Sequence, residues 1–259
     1  MLTEKTSIHT FSCRRILTAV LLLLVNFSAT TQADTTLILS YWTDATPPFA
    51  WSKNGQLTAG LIKDIGDELA RQGGYKVAYR EVPVKRIEAQ LAEGSIHVDC
   101  ITNPIWKEKP ELLSWSPVLF QGADRFLVQK GSEHEITSLD DLRGKVIGTY
   151  NGYVYHPSIM EMFSTKAALA EQVQGIDKGV RLVSLGRLDA LIDFDILLLY
   201  QIRQGQPNDN LTLASFHADD YDLQCAYSPH SPVATEEIDD RLNAMIKTGF
   251  ISKALDKYR

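Results

Sequence analysis

Cysteine is scarce here: the 259 residues hold three, and none directly follows the N-terminal apolar run, where a bacterial lipid anchor would need one. A disulfide-dense scaffold is therefore excluded. Positive charge is short as well, with 26 Lys and Arg against 32 Asp and Glu and a net charge of −6. No basic stripe exists to neutralise phosphates, which argues against nucleic acid and against anionic membrane surfaces. The one long hydrophobic run, Ile16 to Val25, falls short of the roughly 20 residues that a spanning helix needs. There is no H-x-x-x-H pair for zinc, no G-x-S-x-G elbow, no P-loop, no repeat and no low-complexity tract. No metal, cofactor or catalytic residue is called for.

What is present begins with an export signal. Lys5, Arg14 and Arg15 precede the apolar core, and Thr31-Gln32-Ala33 reads as a small-x-small cleavage site before Asp34. Residues 1–33 are thus expected to be removed, placing the mature protein in the periplasm. Their loss takes away three basic residues and one acid, which moves the net charge from −6 to −8. Cys13 leaves with the peptide, so Cys100 and Cys225 remain, either as one bridge or as two buried thiols. The remaining length suits one large domain or two lobes, each able to bury a core.

Along the mature chain, strand and helix alternate. Thr36 to Tyr41 is apolar and β-branched, a strand, followed by the rigid Pro47-Pro48-Phe49 step with Trp51 and a turn at Asn54-Gly55. Leu61, Ile65 and Leu69 recur at helical spacing up to Gly73-Gly74. A second strand spans Tyr75 to Glu81, a second helical face reads Val84, Ile87 and Leu91 before Gly94, and a third strand spans Ile96 to Thr102. This order implies parallel pairing in an α/β layer. Trp115 to Phe120 is an extended crossing. Beyond it, Ser138 and Asp141 form a capping box, Val146 to Tyr150 is a strand, and Asn151-Gly152 turns into a helix starting between Tyr153 and Ser158. A buried strand ends near Asp193, Tyr221 to Tyr227 is another strand, and a last helix starts at Thr235 as N-cap with Ile238, Leu242 and Met245 on its apolar face.

An ordered set of motifs carries a resemblance: Pro47-Pro48-Phe49, Gly55 and Gly60 with Asp64, Leu91-x-x-Gly94, Trp115-Ser116, Asp140-Asp141-Leu142-x-Gly144-Lys145, Gly152, and Gly186-Arg187-Leu188-Asp189-Ala190. The chain resembles the family 3 extracellular solute-binding proteins, the type II periplasmic binding fold of polar amino acid ABC importers. The resemblance implies an α/β clamshell, each lobe a mixed sheet flanked by helices, with two crossing hinge strands closing on a ligand. Lobe 1 would take residues 34–118 and 222–259, and lobe 2 residues 119–221. In that fold Cys100 and Cys225 lie on neighbouring strands, close enough for a disulfide.

The resemblance also nominates site residues. Phe49 and Trp51 would bound the pocket from lobe 1. The family's carboxylate-binding arginine falls, by ungapped counting, on Lys109, which lacks the fork geometry. Arg86 is a second candidate cation, at a turn where the family's aromatic is replaced by Val84. The family's small polar residues on the loop after the third strand give way to Thr102-Asn103-Pro104-Ile105-Trp106. Gly152 and Tyr153 stand where a helix N-terminus would offer amides to an anion, with Tyr155 nearby. Asp193 and Asp195 flank the position of the family's ammonium-binding acid. The implied function is a monomeric receptor that captures a small polar solute, an amino acid or a related compound, and hands it to an ABC permease. A dehydratase resembling cyclohexadienyl dehydratase, and a ligand-sensing partner of a membrane signalling protein, are the alternatives.

Overall fold

The computed structural model describes residues 35–43, 45–151, 153–204, 209–217 and 220–258. The export signal and Gly152, named above, lie outside the described residues.

The chain opens with β1 (Thr36–Trp42), then a short hairpin of β2 (Trp51–Lys53) and β3 (Gln56–Ala59). Asn54 and Gly55 turn that hairpin with φ of 53° and 71°, the conformation that an Asn-Gly pair adopts at little cost. Helix α1 (Leu61–Gly73) buries Leu61, Ile62, Ile65 and Leu69 and stops at Gly74, whose φ of 70° lets its N–H return to Ala70. After β4 (Lys76–Val82), helix α2 (Val84–Glu93) buries Ile87 and Leu91. Val84, expected on that apolar face, is instead exposed at the first position of the helix. Strand β5 (Val98–Thr102) is buried throughout. Two 3-10 turns follow, Pro104–Trp106 and Pro110–Leu112. Then come β6 (Ser114–Trp115) and β7 (Phe120–Gly122).

The second sheet is laid down by β8 (Asp124–Gln129), β9 (Val146–Thr149), helix α3 (Pro157–Ser164), β10 (Leu169–Gln172), helix α4 (Ile176–Ser184), β11 (Ala190–Phe194), helix α5 (Asp195–Arg203) and β12 (Leu211–His217). The capping box at Ser138 is present: the Asp141 carboxylate accepts the Ser138 N–H at 2.9 Å, although the element it opens is a 3-10 turn. The chain returns through β13 (Tyr221–Tyr227), and ends in α6 (Thr235–Lys247) and α7 (Phe250–Asp256). Thr235 is the first helical residue and Ala234 holds the cap position, a one-residue correction. The separate helix α7 was not foreseen in the periodicity.

Two mixed sheets result. The first has the order β4-β1-β5-β13-β6, with β7 also on β13; the second has the order β10-β9-β11-β8-β12. β1 pairs in parallel with β4 and β5, as the alternation of strand and helix requires, while β13 is antiparallel to β5. That pairing sets Cys225 opposite Cys100, and the two form a disulfide with Cα atoms 3.9 Å apart. The largest buried apolar cluster runs from Leu37 and Leu39 of β1 and Ile65 of α1 to Leu191 of β11, Val180 of α4 and Leu197 of α5. The two lobes are thus shut against each other, around strands β7 and β13 that join them.

Candidate functional site

The end of β1 and the end of β11 meet between the two lobes through Phe49 and Phe194, and the carboxyl ends of strands are where open α/β sheets take small molecules. Aromatic rings fill this meeting place from both sides. Phe49, buried beside the cis Pro47–Pro48 bond, stands 5.4 Å from Trp42 and 6.0 Å from Phe194 of β11. Phe49, nominated as a pocket wall, thus lies between the end of β1 and the end of β11. Trp51 is not beside it: its ring packs at 5.7 Å on Tyr200 of α5 and 5.5 Å on Tyr258, at the flank of the interface.

On the loop after β5, Thr102 and Asn103 are buried. Asn103 holds the chain: its Oδ1 accepts the Ile105 N–H and its Nδ2 donates to the Asp222 carbonyl, each at 2.9 Å. Trp106 sets its ring edge-on to Tyr221 at 5.3 Å. Lys109 is exposed at the start of the second 3-10 turn, where its N–H donates to Glu88 at 2.5 Å, and Arg86 is exposed on the first turn of α2. The geometry brings neither cation into the buried part of the cleft. The inward lysine is Lys107, whose Nζ sits 3.0 Å from the buried Asp99, which also accepts the Ser40 hydroxyl at 2.8 Å. Sequence reasoning missed Lys107. The available signal was Asp99 itself, an acid inside the apolar run Val98 to Ile101, which requires a partner when buried.

In the second lobe, helix α3 begins at Pro157, with His156 as its cap, so the backbone at Tyr153 is not a helix N-terminus. The Tyr153 N–H folds back onto the Tyr150 carbonyl at 3.4 Å, and its ring packs on Tyr155 at 4.6 Å. Tyr155 is buried, and its hydroxyl accepts the Tyr150 N–H. Asp195 caps α5 from its first position, accepting the Ile196 N–H at 2.7 Å. Asp193 is buried at 4% exposure and accepts the Phe194 N–H at 2.7 Å. Burial pushes its carboxyl up to about 7 from 3.8, against the pull of the Phe194 amide and the Tyr150 hydroxyl, with Asp124 adding to the rise. Burial, and then the Asp193 charge, push the Tyr150 hydroxyl up in turn.

A second acid escaped the sequence reading. Asp124, with 0% exposure, accepts the Tyr153 hydroxyl at 2.8 Å through one oxygen and the Tyr221 hydroxyl at 3.0 Å through the other. Burial raises its pKa, while the two hydroxyls pull the other way. Arg125, opposite Asp193 in the β8–β11 register, directs its guanidinium to the Ala214 carbonyl at 2.8 Å. No group of three or more metal-ligating side chains occurs among the described residues. A polar cavity of about 170 Å³ lies where β8 ends and β9 and β11 begin, lined by Gln129, Glu135, Lys145 and Asp189. Those groups serve the fold there, with Asp189 accepting the Val146 N–H and Lys145 pairing with Glu135.

Two sheets joined by two crossing strands, with aromatic walls meeting at their strand ends, call for comparison with known clamshell proteins. The model of the bacterial extracellular solute-binding proteins, family 3, matches residues 39–259. The chain belongs to that family. Among characterised relatives it is similar to the "Probable amino-acid-binding protein YxeM" of Bacillus subtilis (strain 168), 25% identical over 247 residues, 94% of this chain and 86% of that one. Among solved structures it is similar to an ancestral arginine-binding protein bound to arginine, with a TM-score of 0.65, 24% identity and coverage of 86% and 97%. An ancestral cationic amino acid solute-binding protein gives a TM-score of 0.69, 21% identity and coverage of 86% and 95%. The GluR0 ligand-binding core in complex with L-glutamate gives a TM-score of 0.67, 16% identity and coverage of 88% and 99%. These structures share its fold, the type II two-lobed clamshell. Within the family 3 frame, Phe194 occupies the position between the two aspartates nominated as ammonium ligands.

Proposed function

We propose that this protein is an exported receptor that captures a small polar solute bearing a protonated amine, an amino acid or a related compound, and delivers it to an ABC permease. Asp193 carries the reading. It is a buried carboxylate at the cleft end of β11, and no cationic side chain forms an ion pair with it among the described residues. A buried anion of this kind is stabilised by a cation brought in from outside. The relatives add support, since their names point to amino acids as ligands. Phe49, Phe194 and Trp106 would surround the apolar part of the solute. In this reading residues 34–118 with 222–259 form one jaw, residues 119–221 form the other, and closure on the solute is the signal that a permease reads. The solute's carboxylate, where it has one, would meet Lys109 or Arg86 at the rim, in place of the family's guanidinium.

A thermal-shift screen with the L-amino acids, polyamines and small organic acids tests this, because a solute that binds only the folded state raises the melting temperature. A shift of several degrees from at least one amine at millimolar concentration is expected, followed by saturable calorimetric binding. Failure of every amine to bind would overturn the reading. The receptor function also predicts that prephenate is returned unchanged after incubation.

A further inference from the structure

Asp124 differs from Asp193 in that its carboxylate is already saturated by protein donors. One oxygen takes the Tyr153 hydroxyl, the other takes the Tyr221 hydroxyl, and the His156 backbone N–H adds a further bond. The three partners belong to different parts of the clamshell. Tyr221 is the first residue of the returning hinge strand β13 and pairs with Gly122 of the outgoing hinge strand β7. Tyr153 lies on the loop between β9 and α3, at the cleft edge of the second lobe. Asp124 itself starts β8, two residues beyond β7.

The same hinge strand is held from the opposite side. Trp106 packs edge-on to Tyr221, and Asn103 donates to the Asp222 carbonyl, so the loop after β5 grips residues 221 and 222. A continuous path of contacts thus runs from Trp106 through Tyr221 and Asp124 to Tyr153. It starts on one cleft wall, passes through the hinge and ends on the other wall. A charge-assisted bond at each carboxylate oxygen keeps the two tyrosines at a fixed separation. The tyrosine hydroxyls, with His156 adding a backbone bond and an electrostatic pull, compensate the burial of the carboxylate.

We propose that Asp124 is a positioning residue for solute capture, which fastens the hinge strand at Tyr221 to the cleft loop at Tyr153 so that the two cleft walls are ordered together. The role rests on the receptor reading, but its test needs no solute, so the two can fail separately. A path of contacts counts as coupling only when a change at one end is felt at the other.

Amide hydrogen exchange on the solute-free full chain supplies that measurement. Tyr221→Phe and Tyr153→Phe each remove one hydroxyl and keep the ring. Tyr227→Phe is the control, since Tyr227 gives its hydroxyl to Asp239 inside the first lobe at 2.7 Å. In Tyr221→Phe the amides of residues 150–156 are expected to exchange about tenfold faster, the scale of one lost hydrogen bond to a charged group. In Tyr153→Phe the amides of Ile105 and Trp106 should quicken by a similar factor. Tyr227→Phe should change neither segment. Faster exchange confined to the mutated strand or loop would overturn the proposal, as would an equal effect from Tyr227→Phe.

Discussion

Phe194 lays its ring over Gly122 so closely that a Cβ at residue 122 would fall 2.2 Å from the ring's Cζ. The hinge strand is bare at that point because the cleft needs the space. Gly122→Ala should therefore displace Phe194 from Phe49 and cost about 1–3 kcal/mol, as overpacking does. Adding Phe194→Leu to the same chain should recover most of the loss. Urea unfolding of the three variants measures it, and a double variant no better than the single would contradict the contact.

The pH dependence of stability should report Asp193. Its folded pKa stands at about 7 against 3.8 for an ordinary aspartate. The folded state therefore holds a proton that the unfolded chain releases. The stabilisation this provides is complete below about pH 4 and is lost as pH rises through 7. Asp193→Asn carries no such penalty. It should be more stable than the parent at pH 8, by an amount on the order of 4 kcal/mol, with the difference vanishing below about pH 4. The affinity of the parent for a protonated amine should move the opposite way and climb between pH 5.5 and 8, as calorimetry across that range would show. The titratable groups that face Asp193 are Asp124, Tyr150 and Tyr153, and both proteins carry them.

Reduction of the disulfide should lower stability substantially. Cys100 and Cys225 are 125 residues apart in sequence, and a loop of that size corresponds to about 4–5 kcal/mol in the chain-entropy model. Urea titrations with and without a phosphine reductant should differ in extrapolated unfolding free energy by that amount, with the reduced protein's midpoint at lower urea.

Lys107 and Asp99 form an ion pair with side-chain exposures of 10% and 5%. Lys107→Met leaves Asp99 charged and buried, a change expected to cost about 3–5 kcal/mol. Replacing both residues with apolar ones should restore most of that stability, so a double variant as weak as the single would count against the pairing.

Much of the first lobe was legible in the sequence. Gly74 and Gly94 closed their helices where expected, with φ of 70° and 76°, and the β13 limits agree with the reading from Tyr221 to Tyr227. These elements have a strong period and a glycine to end them. The second lobe was harder to read. Strand β10, Leu169–Gln172, is exposed at every position, so alternation leaves no trace. Strand β8 begins with Asp124, whose burial depends on tyrosines 29 and 97 residues away. Helix α3 begins at Pro157, inside the interval from Tyr153 to Ser158 expected for it, because Pro157, lacking an N–H, suits a first helical position. At the site, ungapped counting chose Lys109, but two proline-led 3-10 turns redirect that loop and send Lys107 inward instead. Periodicity carries no information on which of two nearby lysines turns toward a buried acid.

The strand order of the first sheet also dictates a sequence of events. β13 lies between β5 and β6, yet it is made only after the whole second sheet has emerged. Until it arrives, β5 has an open edge and Cys100 has no partner. Contacts this distant along the chain form slowly, since the intervening loop must be closed first. The first sheet is therefore begun first and completed last, since neither the β5–β13 pairing nor the Cys100–Cys225 bond can form until the return strand is available.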